Sequence, residues 1–185
     1  MPFYTGIGAR KTPPDILERM TNISYRLNRL GWTLRSGCAI GADTAFENGA
    51  GDLKELYVAK EGTTGGILPT PECFAIAASL HPAWNALTPY VKALMARNIP
   101  QVLGIDLKTP SEMVVCWTPD GCESGEDRTQ KTGGTGQAIS CAWNNGVPIY
   151  NLANRNSLIR FNDWLETKEY EYSLLRQTAK PRTRA

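Results

Sequence analysis

Histidine is almost absent from this chain: His81 is the only one, and it precedes a proline. A single loop imidazole makes no case for Ser-His-Asp or Cys-His catalysis. It is also the sole imidazole that a structural zinc site could use. The five cysteines, Cys38, Cys73, Cys116, Cys122 and Cys141, are odd in number and form no CxxC pair. They read as reduced thiols of a cytosolic protein, and neither a metal nor a cofactor is expected. No apolar run approaches the roughly 18 residues a membrane helix needs, and the N-terminus has no signal-peptide pattern. An excess of one charge is lacking as well. A net charge of +2, from 20 basic and 18 acidic residues, is too small to announce a nucleic-acid partner by itself.

Glycine is plentiful, and much of it follows short β-like runs. The main stretch is Arg35 to Ala50, RSGCAIGADTAFENGA. Trp32-Thr33-Leu34 feeds Ser36-Gly37, small residues lead to Gly41, and Asp43 stands at the start of a helix. A strand, a tight Gly-rich turn and a helix N-terminus bare backbone N–H groups within the positive end of a helix dipole. The expectation is a phosphate or another anion held by main chain. Two further turns repeat the pattern, Gly6-Ile7-Gly8-Ala9-Arg10 and Gly133-Gly134-Thr135-Gly136.

The remaining pattern predicts alternating strands and helices. Phe3 to Ile7 reads as a strand. Thr12 caps a helix with Pro13 in its first position. Ile16, Met20, Ile23, Leu27 and Leu30 form one apolar helical stripe, which Gly31 ends. Glu55 to Ala59 reads as a third strand, so the order opens β-α-β-α-β and implies a parallel sheet. Glu61 to Glu72 reads as a loop. Phe74 to Leu80 and Trp84 to Asn98 read as helices, and Met113 to Trp117 as a buried strand. Ala138 to Trp143 gives a helix face, Val147 to Leu152 a last strand and Ser157 to Leu165 a closing helix. The fold class is α/β: one Rossmann-like domain over residues 1–166, with a mainly parallel sheet and helices on both faces. A basic tail, 167–185, is expected to be partly disordered.

Taken in order, Thr12 to Pro14, Ser36 to Ala50, Cys116 to Gly121 (CWTPDG) and Gly133 to Ala138 (GGTGQA) resemble the DprA/Smf–LOG (SLOG) superfamily and its phage-borne, DprA-like branch. The resemblance implies a nucleotide-type ligand at the C-terminal edge of the strands. Members bind single-stranded DNA, hydrolyse nucleotide N-glycosidic bonds or hold ADP-ribose-like signals. A homodimer in the host cytoplasm is the expected setting by similarity. The glycosidase branch carries Pro-Gly-Gly-x-Gly-Thr-x-x-Glu; here Thr132 to Ser140 lacks the motif Glu.

Three functions follow, each with its residues. The first is a binding module for a phosphorylated nucleotide, an ADP-ribose derivative or a cyclic nucleotide. Main chain at Gly6, Gly8, Gly37, Gly41, Gly133, Gly134, Thr135 and Gly136, with Ser36, would hold phosphate, and Arg10 and Arg35 could add bidentate contacts. Asp43 or Glu47 would hold ribose, and Trp117 or Tyr4 would stack on the base. The second is an N-glycosidase or phosphoribohydrolase. Asp43 and Glu47, four residues apart on one helical face, would supply a general base or nucleophile. The third is a single-stranded DNA-binding mediator using Arg10, Arg35, Lys131 and the basic tail.

Overall fold

The computed structural model describes residues 1–62 and 65–178. Five strands, β1 (Phe3–Gly8), β2 (Thr33–Gly37), β3 (Lys54–Tyr57), β4 (Met113–Trp117) and β5 (Ile149–Asn151), form one sheet. Six helices connect and follow them: α1 (Pro14–Arg29), α2 (Ala42–Ala50), α3 (Pro71–Leu80), α4 (Pro89–Leu103), α5 (Thr135–Asn144) and α6 (Arg155–Thr178). Every strand pair is parallel, in the order β3-β2-β1-β4-β5. This is the expected α/β, Rossmann-like arrangement. The strand order reverses between β1 and β4, and the loops beyond their C-terminal ends diverge to leave a crevice. Among the described residues no helix is long and apolar enough to cross a membrane.

The sheet is buried on both faces. Met20, Ile23 and Leu27 of α1, Phe46 of α2, and Phe161 and Leu165 of α6 cover one face. Cys73 and Ala77 of α3, Ile99 and Val102 of α4, and Ile139 of α5 cover the other. The near-continuous apolar run of β4 follows from this double coverage. The α1–α2 pair is locked by polar contacts. Thr21 Oγ1 donates to the Ala45 carbonyl at 2.9 Å, and Ser24 Oγ to that of Phe46 at 2.5 Å. At Gly49 a Cβ would meet the α1 backbone at Tyr25 N, 2.7 Å away, so only glycine lets the helices approach this closely. That packing fixes the N-terminus of α2, and Asp43 with it, at the sheet edge.

Several local expectations are corrected. Thr12 does not cap α1: its hydroxyl donates to the Ala9 carbonyl at 2.7 Å and closes the turn after β1. Gly31 does end α1, at φ +79°. Trp84–Ala86 is a single 3-10 turn, and α4 begins beyond it at Pro89. The helix then continues through Pro100 to Leu103. Pro100 removes one helical N–H, but burial of Ile99, Val102 and Leu103 holds the last turn in place. The stretch 167–178, expected as tail, extends α6. Leu165 is its last buried residue, so the apolar pattern stops there while the helix does not. A two-pronged contact from Arg26 to Glu169, at 2.9 and 2.7 Å, ties the extension to α1. The basic residues from Lys180 onward lie outside the described residues.

Candidate functional site

A cavity of about 450 Å³ opens at the switch point. The β1–α1 turn forms one wall, the turn entering α5 forms the other, and side chains of α4 form the floor.

The first wall is the segment from Gly8 to Lys11. Ala9 N donates to the Trp117 carbonyl at 3.2 Å, which carries the β1–β4 pairing one residue past β1. A Cβ on Gly8 would lie 2.7 Å from Ala42 Cβ and 3.1 Å from the Trp117 carbonyl oxygen. Arg10 and Lys11 are exposed on this wall. Gly41, at φ +101°, presses against the same turn, and a Cβ there would be 2.8 Å from the Arg10 carbonyl oxygen. Gly41 therefore shapes the wall from behind.

Asp120 of the CWTPDG stretch builds the second wall. Its carboxylate accepts from the Thr129 hydroxyl at 2.6 Å and the Thr132 hydroxyl at 2.5 Å. Burial opposes its ionisation, but hydrogen bonds led by those two hydroxyls outweigh it and hold the carboxyl down to about 2. Thr129 N in turn donates to Thr132 Oγ1 at 2.9 Å. This network delivers the chain to Gly133, which turns it at φ +61°, and α5 then begins. Asn98 Nδ2 donates to the Gly134 carbonyl at 3.2 Å and pins the turn to α4. Among the described residues, the amides of Gly133, Gly134 and Thr135 have no hydrogen-bond acceptor. They stand at the positive end of the α5 dipole.

The floor joins Asp43, Arg97 and Gln101. Asp43 is almost fully buried, and burial raises its pKa to about 6. The Arg97 guanidinium, 3.4 Å away, and the Ala39 and Gly8 amides restrain that rise. Arg97 also donates to the Tyr57 carbonyl at 3.4 Å. Gly37 exists for this packing: a Cβ there would coincide with the guanidinium and lie 2.7 Å from Gln101 Nε2. Gln101 is fully buried. Among the described residues its Nε2 and Oε1, and Nε of Arg97, have no partner. Buried polar atoms are paired in the great majority of cases; these three, closed to solvent beside the cavity floor, are exceptions.

The cleft therefore assembles Gly8, Arg10, Asp43, Lys131, Gly133, Gly134 and Thr135 from the residues expected, with Lys11 beside them. Others stand elsewhere. Gly6 faces the core, where a Cβ would lie 2.6 Å from Phe46 Cγ. Ser36 is buried and donates to the Gly6 carbonyl at 2.6 Å. Arg35 is buried in an ion pair with Glu55 at 2.8 Å, donates to the Thr109 carbonyl at 2.5 Å and lies over the Phe3 ring. It is a structural cation, out of reach of a phosphate in the cleft. Gly136 makes room for Arg128, whose Nε a Cβ would meet at 2.6 Å. Trp117 and Tyr4 pack with the α1–α2–α6 face; the Tyr4 hydroxyl is 2.7 Å from Ser24 Oγ. Glu47 pairs with Lys54 at 3.3 Å, outside the cleft. Among the described residues no three His, Cys, Asp or Glu side chains converge as metal ligands.

The sequence reading missed Arg97, Asn98 and Gln101. One signal was available: Arg97 and Gln101 are four apart, on one face of a helix otherwise rich in apolar residues.

No family model matches the chain, and comparison with the curated proteins finds no match. Among solved structures, the fold is similar to that of DNA processing protein A from Helicobacter pylori, whose structure is described for its single-stranded DNA binding mode. The TM-score is 0.55 at 17% sequence identity, and the match covers 92% of this chain and 81% of that one. The likeness establishes a DprA-like fold, and a fold by itself does not assign a function.

Proposed function

We propose that the switch-point cleft binds a phosphorylated nucleotide, such as an ADP-ribose derivative or a cyclic nucleotide. One observation carries this reading. Free amides at the start of α5, the Arg97 guanidinium and the unpartnered Gln101 amide all border one cavity. A phosphate would accept from the Gly134 and Thr135 N–H groups, with Arg10, Lys11 and Lys131 adding charge at the rim. Asp43 would accept from a ribose hydroxyl. Gln101 would offer both a donor and an acceptor to the remaining polar edge of the ligand once its buried amide turned into the cavity.

The test is calorimetric titration of AMP, ADP-ribose and cyclic dinucleotides into wild type and Arg97→Ala. At least one ligand should bind, and the variant should bind it roughly ten- to hundredfold more weakly, the worth of one charged hydrogen bond. Equal affinity in both proteins would remove Arg97, and the floor with it, from the site. Base release is a second readout of the same mixtures. Of the two carboxylates considered for glycosidic chemistry, only Asp43 lines the cleft. A buried carboxyl titrating near 6 suits proton transfer.

The second reading is single-stranded DNA. The fold neighbour's described binding mode favours it, as do the exposed cations Arg10, Lys11 and Lys131 at the rim. Oligonucleotide affinity should then fall with salt at a log–log slope of roughly −0.7 per phosphate contacted. An oligonucleotide that does not bind at low salt excludes it.

A further inference from the structure

On the other side of Arg97 lies a second cavity of about 290 Å³. The two share Arg10, Ala39, Leu94 and Arg97 as lining, so they adjoin across these residues. The outer cavity adds Lys60, from the segment after β3, and Tyr90, from the first turn of α4. Its charged lining is entirely cationic: Arg10, Lys60 and Arg97. Tyr90 is 52% exposed, and Ile40, which also lines the cavity, is 84% exposed. Neither is needed by the core.

We infer that this outer cavity is a second nucleotide subsite, so that the ligand carries two nucleotide units joined through phosphate. The inference rests on the nucleotide reading of the inner cleft. The shared wall supplies the reason. Arg10 and Arg97 border both cavities, where a linking phosphate would pass from one unit to the next. Lys60 adds a further cation on the outer side. Tyr90 presents a ring face on which a base can stack, and stacking tolerates any base. Ile40 offers apolar contact to the same base. Two sources fit this chemistry: a cyclic or linear dinucleotide, and two successive units of a DNA strand.

The experiment titrates dAMP, pdApdA, cyclic di-AMP and a dA 12-mer into wild type, Tyr90→Ala, Tyr90→Phe and Lys60→Ala. Tyr90 and Lys60 are exposed, and thermal melts verify that each variant is folded. Wild type should bind pdApdA or cyclic di-AMP at least about tenfold more tightly than dAMP. Tyr90→Ala should lose most of that gain while binding dAMP within about twofold of wild type, and Tyr90→Phe should keep it. Lys60→Ala should weaken the two-unit ligands alone. A 12-mer that binds more tightly still, with a steeper salt dependence, identifies a strand; cyclic di-AMP as the tightest ligand identifies a small molecule. Both results support the subsite. Binding of dAMP with no gain from a second unit overturns the subsite and leaves the inner cleft standing. So does an equal loss of dAMP and pdApdA in Tyr90→Ala. Failure of all four probes while ADP-ribose binds overturns the subsite alone; failure of ADP-ribose as well refutes the inner cleft with it.

Discussion

Gly134→Ala separates a glycine kept for its ligand from one kept for its fold. Gly134 has φ −64° and ψ −25°, ordinary right-handed helical angles, so a side chain adds no backbone strain. Its Cβ would have one neighbour, the flexible end of Met95, at 3.4 Å. Alanine also removes unfolded-state freedom, which stabilises by about 0.4–1 kcal/mol where the native angles permit it. The net change in stability should stay within about 1 kcal/mol, or roughly 2–4 °C in melting temperature for a chain of this size. Binding should respond differently. The new methyl group stands on the cleft side of the turn, where a phosphate would approach the free amides. Loss of one charge-assisted contact, worth about 1.5–3 kcal/mol, weakens binding roughly ten- to hundredfold. Two other glycines serve as controls. Gly133→Ala meets nothing within 4 Å but forces alanine to φ +61°, which costs about 1–2 kcal/mol of stability. Gly8→Ala places its methyl 2.7 Å from Ala42 Cβ and should cost about 1–3 kcal/mol by overpacking. The assays are thermal melts and calorimetric titration of the ligand that wild type binds. A folded Gly134→Ala protein with undiminished affinity would refute the phosphate turn. A Gly134→Ala protein that loses several kcal/mol of stability would refute the claim that this glycine is free of structural duty.

Three further outcomes are expected. Arg35→Ala should cost roughly 2–4 kcal/mol in denaturant melts. This is below the full penalty for an orphaned buried charge because Glu55 is about a third exposed; unchanged stability would contradict the structural role of Arg35. The Asp43 carboxyl keeps its proton up to about pH 6 in the folded state but only to about 4 when unfolded. The folded state therefore binds more protons in that window, and the Asp43 contribution makes stability fall as pH rises from 4 to 6, by on the order of 1–3 kcal/mol. Asp43→Asn should remove that slope, and identical pH profiles for the two proteins would refute the assignment. Glu47→Gln should leave ligand affinity within about twofold and stability within about 0.5 kcal/mol, because it breaks only the partly exposed contact with Lys54; a large loss of binding would return Glu47 to the site.

The amino-acid sequence by itself determined the alternation of strands and helices, the parallel sheet and two of the cleft's walls. These are written locally. A strand followed by Gly-Ile-Gly-Ala-Arg, or a turn of Gly133-Gly134 before a helix, carries its signal in adjacent residues. Apolar period places Met20, Ile23 and Leu27 on one face of α1. Only the tertiary structure decided which residues meet. Arg35 and Arg97 look alike in the sequence. The β2 register faces Arg35 to Glu55 of β3 and buries it, whereas the packing of α4 over Gly37 brings Arg97 to Asp43. The same distinction divides the glycines. Gly6, Gly37 and Gly136 lack side chains because Phe46, Arg97 and Arg128 occupy that space, while Gly134 faces the open cleft. Gln101 lies deep in a helix that carries a proline, and its two unpartnered atoms gain meaning only beside a cavity. A contact between elements sixty residues apart depends on strand order and helix packing, which no short stretch of sequence encodes alone.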